Sequence, residues 1–188
     1  MMFFHHFSND FIFHVAANEA GAKKLSGVTD PTRDRRALAA AIAKGNVSEV
    51  KRLIRNDSLL NRHEPESGLT PLNEAAFHGE QEILKLLLDR GARVSHPSRD
   101  GNTALHTAAF LCRTEMVELL LDRGASTETK NARGETPIDV VSGEWSEPLA
   151  GFYRVLDGAG SLSLDLDTIR KSRPEIATLL RNHARNQQ

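Results

Sequence analysis

Cysteine is almost missing from this chain: Cys112 is the single one among 188 residues. An internal disulfide is therefore excluded, and a zinc site built on thiolates has no ligands to draw on. A dominant charge is missing too. Lys plus Arg number 24 and Asp plus Glu number 25, so neither sign draws the chain towards nucleic acid or an anionic membrane. No apolar run approaches the roughly 18 residues that a membrane span needs. Glycine-rich phosphate loops, His-Glu-x-x-His helices, Gly-x-Ser-x-Gly elbows and paired metal-ligand spacings are absent as well. The sequence thus predicts no enzyme, no metal site and no cofactor. What remains is ordinary globular material. Apolar residues make up 39% and charged residues 26%, which suits one domain with a real core.

That material repeats. Gly68-Leu69-Thr70-Pro71-Leu72 returns as Gly101-Asn102-Thr103-Ala104-Leu105 and again as Gly134-Glu135-Thr136-Pro137-Ile138, each time 33 residues on. Ala75-Ala76 and Ala108-Ala109 keep the same register. So do the segments Leu86-Leu87-Leu88-Asp89-Arg90-Gly91-Ala92 and Leu119-Leu120-Leu121-Asp122-Arg123-Gly124-Ala125. Each repeated position has a mechanical role. Thr70, Thr103 and Thr136 are N-caps, whose hydroxyls accept from orphan backbone N–H groups. Pro71 and Pro137 suit the first helical position, where no N–H is missed. Leu84, Leu87 and Leu88 recur at spacings of three and four, as do Met116, Leu119 and Leu120, giving the second helix of each unit one apolar face. Gly91 and Gly124 end that helix, and the polar stretches from Ala92 and from Ala125 read as projecting hairpins.

On these residues the chain resembles the ankyrin-repeat family, whose signature is Gly-x-Thr-Pro-Leu-His-x-Ala-Ala, a leucine-rich helix and Gly-Ala. The second copy has Asn73 in place of the His; the third keeps His106 but has Ala104 in place of the Pro. A weaker first copy runs from about residue 34 to 61. In it Ala39-Ala40-Ala41 stand for the first helix and Val47, Val50, Leu53 and Ile54 for the second. The resemblance implies an all-α solenoid of helix-turn-helix units with short projecting hairpin loops. Residues 1–32 read as a disordered or loosely attached segment and 33–188 as the repeat domain, with units at about 34–64, 65–97, 98–130 and 131–183. A helix pair cannot bury its own apolar face, so neighbouring units must stack.

The pattern departs in three places. Cys112 falls where Gly45 and Gly79 close the first helix elsewhere, and predicts an inert thiol in an altered left-handed turn. Asp57 replaces the second-helix glycine of the first copy. After Ser142 the fourth copy is interrupted by Gly143-Glu144-Trp145-Ser146-Glu147-Pro148. A helical stretch follows with Leu149, Phe152, Tyr153, Val155 and Leu156, then a turn from Asp157 to Ser161, then Leu162, Leu164 and Leu166 in alternation. Asp167 reads as an N-cap and Pro174 as the first residue of a closing helix. Residues 143–166 are thus an insertion within the last repeat, expected to pack on that repeat. This tail resembles a bacterial variety of ankyrin protein with the same Thr-Pro-x-Asp-Val-Val-Ser and Trp-x-x-Glu segments. The arginines at 33, 35 and 36, and His63 with Glu64, read as solvated surface.

The amino terminus carries five of the eight phenylalanines within residues 3–13. Residues 11–17 admit reading as a signal-peptide core, against which stand the lack of a preceding Lys or Arg and the presence of Asp10 and His14. The chain is accordingly expected in the cytoplasm, with export the alternative.

With the catalytic inventory empty, surface is what remains. The resemblance implies a concave face formed by hairpin tips and first helices, where a protein partner binds. The hairpin positions are Glu66, Ser67 and Leu69, then Arg99, Asp100 and Asn102, then Arg133 and Glu135. The first-helix positions are Phe77 and His78, then Phe110 and Leu111. Phe77 and Phe110 occupy the same place in successive repeats, about 10 Å apart at normal helix spacing. They are either a partner-contact strip or packing between first helices. The expected function is a monomeric adaptor for a protein partner, with no nucleic acid and no membrane span. The alternatives are a small-molecule-binding or enzyme-associated regulatory subunit using the insertion, or an exported inhibitor or stress protein.

Overall fold

The computed structural model describes residues 30–55, 57–160 and 162–186. The amino-terminal phenylalanines and the signal-peptide reading lie outside these residues. The elements are helices α1 (Pro31–Ala43), α2 (Val47–Leu53), α3 (Pro71–His78), α4 (Gln81–Asp89), α5 (Ala104–Phe110), α6 (Thr114–Asp122), α7 (Pro137–Ser142), α8 (Glu147–Gly160) and α9 (Leu166–Asn186), with a 3-10 turn at Asp57–Leu59. Among the described residues no strand forms. The first helices α1, α3, α5 and α7 pack in succession, and the second helices α2, α4, α6 and α9 form a parallel layer behind them. One apolar seam runs through both layers, through Leu38, Ile42, Val50, Ile83, Leu87, Leu105, Val117, Leu120, Ile176 and Leu180.

Local chemistry sets the start of each unit. Asp30 caps α1 by accepting from Thr32 N at 2.9 Å, which starts the first helix at Pro31, just ahead of the boundary expected at residue 33. Asn46 caps α2. Thr70, Thr103 and Thr136 stand at the starts of α3, α5 and α7, and in each case the residue three places on completes the cap. Asn73 pairs with the Thr70 hydroxyl, His106 Nδ1 accepts from Thr103 N at 3.1 Å, and Asp139 Oδ2 accepts from Thr136 N at 2.8 Å. The same residues reach to the next unit. His106 Nε2 donates to Glu135 O at 3.0 Å, and Asn73 Nδ2 donates to Asn102 O at 2.9 Å, so the amide performs the imidazole's inter-repeat role. Because Nδ1 accepts a backbone proton, the neutral imidazole must carry its proton on Nε2.

Hairpin tips join by backbone bonds: Arg99 N donates to Gly68 O at 3.0 Å and Ala132 N to Asp100 O at 2.9 Å. Glu64, Ser98 and Asn131 hold equivalent places at the hairpin bases and are all buried. Glu64 Oε2 accepts from Glu66 N at 2.8 Å and Ser67 N at 2.6 Å. Asn131 Oδ1 accepts from Arg133 N at 2.9 Å and Glu135 N at 3.0 Å. Glu64 is therefore an internal turn-former and not the solvated side chain expected, because its carboxylate replaces water for two turn N–H groups. Arg35 is also no surface residue. It is 0% exposed, 2.9 Å from Glu74, and donates to Arg62 O at 2.6 Å and Leu69 O at 2.9 Å. Burial pushes the Glu74 carboxyl up, against the downward pull of Arg35.

Four local expectations need correction, the first being the turn placed from Asp157, where α8 runs on to Gly160. Cys112 does adopt the left-handed turn, at φ 53, where Gly79 has φ 79. Asp57 does not: it opens the 3-10 turn, and Cys112 and Ser163 are the non-glycine residues with positive φ among those described. The cap of α9 is Asp165, accepting from Asp167 N and from the Thr168 hydroxyl, and Asp167 lies inside the first turn. Pro174 sits within α9 and does not begin it. A helix-interior proline forfeits one backbone bond; burial of Ile169, Ile176 and Leu180 on either side carries the helix through.

Candidate partner-binding face

The face built by the first helices and hairpins is not bare. α8 lies across it, forming a second apolar cluster in which Leu149, Tyr153 and Leu156 meet Phe77 and Leu111, with Leu162 and Ile169 closing the side. The insertion thus packs on the second and third repeats as well as near the last, where the sequence placed it on the last repeat alone. Its leucines and aromatics match the strip presented by α3 and α5. An aromatic stack fixes the position. Tyr153 lies on Phe110 with centroids 4.9 Å apart, Trp145 lies on Tyr153 at 5.9 Å, and Phe152 meets Phe110 edge-on at 5.8 Å. The Tyr153 hydroxyl donates to Phe110 O at 2.6 Å and accepts from Arg173 Nη1 at 2.9 Å. Burial drives the Tyr153 phenol well above its ordinary range, so it stays a hydroxyl and keeps both bonds.

The expected contact residues divide into two sets. Phe77, Leu111 and Leu69 are 4%, 3% and 7% exposed, and Phe110 is half-buried. Phe77, Phe110 and Leu111 are therefore core to α8 in this conformation, and their exposure as a strip needs α8 to leave. The helix that covers them is the feature the sequence showed but did not place. His78 is half-buried beside them; burial, with Arg113 adding repulsion, holds its imidazole down at about 4. In contrast Arg99, Asp100 and Arg133 are exposed at the hairpin tips. Glu66, Ser67, Asn102 and Glu135 are half-exposed and held in place. Glu66 pairs with Arg36 at 2.8 Å, Glu135 pairs with Arg133 at 2.6 Å, and Arg99 Nη2 donates to Pro65 O at 3.1 Å. The tips present alternating charge on a fixed backbone.

Two hollows flank this face. A small one of about 40 Å³ lies between hairpins and first helices, bordered by Leu69, Phe77, His106, Phe110, Leu111 and Leu156. A larger one of about 360 Å³ opens between α8 and the last repeat, bordered by Phe110, Arg133, Glu135, Asp139, Glu144 and Arg173 among others. Cys112 sits under α8 with its thiol pushed up to about 11 by burial, which suits an inert group. Among the described residues no cluster of three His, Cys, Asp or Glu side chains is set to hold a metal. No helix there is long and apolar enough to cross a membrane.

The repeats are shared with known proteins. A family model described as ankyrin repeats (3 copies) matches residues 13–98 and 38–131. The crystal structure of the ankyrin repeat domain of Bcl-3, a unique member of the IkappaB protein family, matches with a TM-score of 0.52 at 26% identity. That match covers 62% of this chain and 50% of the other, so this chain spans about half of that domain's length. Ankyrin repeats are in general protein–protein interaction modules. The 33-residue register, the two stacked helix layers and the family match agree: this chain belongs to the ankyrin-repeat family.

Proposed function

We propose that this protein is a non-enzymatic adaptor that holds a protein partner on its concave face through the hairpin tips, the first-helix strip being covered by α8. The observation that carries the proposal is the row of exposed charges Arg99, Asp100 and Arg133 on tips whose backbones are locked together. Fixed, alternating charge lowers the ordering cost of association and sets register with a partner. The adaptor works as a monomer in the cytoplasm, a reducing compartment where a lone free thiol such as Cys112 is stable. Native protein and an Arg99→Glu/Arg133→Glu variant, both immobilised, provide the test. The native surface should retain a partner that the variant releases, while far-UV spectra stay identical. Equal capture by both would remove the tips from the interface.

A second reading, a small-molecule-binding regulatory subunit, is favoured by the hollow of about 360 Å³ beside α8, where charged groups of both signs converge. Hollows of this size suit small ligands. A ligand there should raise the thermal-unfolding midpoint without changing partner capture; a silent screen of small polar molecules counts against it.

A further inference from the structure

Arg173 takes a positive charge into the interior without a counter-charge. It is 4% exposed, and every acceptor it reaches is neutral: Tyr153 Oη at 2.9 Å, Gly143 O at 3.2 Å and Val140 O at 3.4 Å. Its Nε is buried with no acceptor at all. No ion pair reaches it among the described residues. Burying an unpaired guanidinium is costly, and buried charges are normally matched.

A hollow of about 330 Å³ between α7 and α9 supplies a place for the missing charge. Arg173 borders it together with Arg170 and Arg181, which stand three residues before and eight after it on one side of α9, and with Ser142, Thr178 and Trp145. No carboxylate lines this hollow. Arg181 Nη2 donates to Ser142 Oγ at 2.9 Å, again a neutral acceptor, and Arg170 makes no ion pair among the described residues. The acids Glu135, Asp139 and Glu144 border the separate hollow on the other side of Arg173, and none pairs with it.

We propose that this hollow is a binding site for a small molecule bearing a phosphate monoester. Three guanidinium groups and no acid fit a dianion with three acceptor oxygens better than a singly charged carboxylate. The Ser142 and Thr178 hydroxyls beside them already donate to Ile138 O and Pro174 O, so the arginines alone hold the anion. The hollow has the volume of a small-ligand pocket, and the Trp145 indole offers the non-phosphate part of the molecule an aromatic wall. The site is separate from the hairpin tips, so it stands or falls independently of the partner.

Trp145 is the sole tryptophan of the chain, which makes its fluorescence a direct reporter. The full chain is titrated with phenyl phosphate, and in parallel with phenol, at constant ionic strength. Phenyl phosphate should give a saturable change and phenol none. An Arg170→Gln/Arg181→Gln variant should lose affinity by about tenfold or more. Thr178→Glu, which places a carboxylate at the mouth, should do the same. Both changes fall on exposed positions, and the far-UV spectrum checks the fold. The Arg99→Glu/Arg133→Glu variant should bind phenyl phosphate normally. An unsaturable response, an equal response to phenol, or native affinity in both pocket variants would overturn the proposal.

Discussion

At the scale of single residues, two glycines with the same backbone show what the stacking demands. Gly101 and Gly124 both have φ +81, but a Cβ at Gly101 would lie 2.7 Å from Ala132 N of the next hairpin, whereas at Gly124 it would meet nothing within 4 Å. Gly124→Ala should cost about 1 kcal/mol from the left-handed backbone alone. Gly101→Ala should cost about 1–3 kcal/mol more, because the clash is with main chain that cannot turn aside; urea denaturation of both variants measures the difference. His78 makes the stability depend on pH. Its folded imidazole titrates at about 4, against the ordinary 6.5 once unfolded. The folded state therefore binds fewer protons, so this contribution is present above 6.5 and is lost as pH falls towards 4. Relative to His78→Gln, the native protein should lose about 2 kcal/mol more between neutral pH and about pH 5, read as the difference in urea midpoints. Residue roles were legible where the repeat dictated them: the threonines as caps, Gly91 and Gly124 as helix ends. Arg35 and Glu74 were not, since a buried ion pair leaves no periodic signature, and Glu64 was hidden because only Asn131 and Ser98, in other copies, reveal its place.

At the scale of elements, the helices of the second and third repeats could be read to within a residue or two, since spacing and caps recur there. The insertion could not. Leu149, Tyr153 and Leu156 announce an apolar helix face, but its partner surface lies some 40 residues upstream in sequence, at Phe110, and nothing local names it. The strip at Phe77 and Phe110, expected as partner contact or as packing, and the apolar helical stretch expected around Leu149 to Leu156 are two halves of one contact. The Tyr153 hydroxyl fastens them. Tyr153→Phe removes its bond to Phe110 O and takes an acceptor from Arg173, leaving buried polar groups short of partners, and should cost about 1–3 kcal/mol. Because Cys112 lies under α8, native-state alkylation of its thiol reports the opening. The native protein should react slowly at mildly alkaline pH, as a thiol titrating at about 11 requires, and the Tyr153→Phe variant should react several-fold faster. Equal rates would show that α8 stays docked without the hydroxyl. The same reasoning explains the closing helix. Pro174 looked like a helix start by composition, but α9 runs through it because α6 and α7 both pack along its length.

At the scale of the whole molecule, stability is shared between neighbours, so the weakest interface decides how it unfolds. The first repeat lacks the Thr-Pro start and has short α2 followed by a 3-10 turn, which leaves the Arg35 contacts as its main polar tie to the array. Arg35 spans the joint: it sits on α1, faces Glu74 on α3, and holds the carbonyls of Arg62 and Leu69 on the first hairpin. Arg35→Met would strand the Glu74 carboxylate in a dry interface and should cost about 3–5 kcal/mol. That loss falls on one joint, so the first repeat should detach before the rest, and a single denaturant transition should split into two. Glu74→Leu added to Arg35→Met removes the stranded charge and should recover most of the loss. A deficit of about 1–3 kcal/mol should persist, because Arg62 O loses the Arg35 donor and Leu69 O is left with Glu64 N alone. Helicity by far-UV spectroscopy and the environment of Trp145 by fluorescence, followed in the same urea series, distinguish the outcomes, since Trp145 lies at the opposite end of the array. If the single variant unfolds in one step at both probes, the repeats are coupled more tightly than nearest-neighbour stacking through this joint allows, and the apolar seam alone carries the cooperativity.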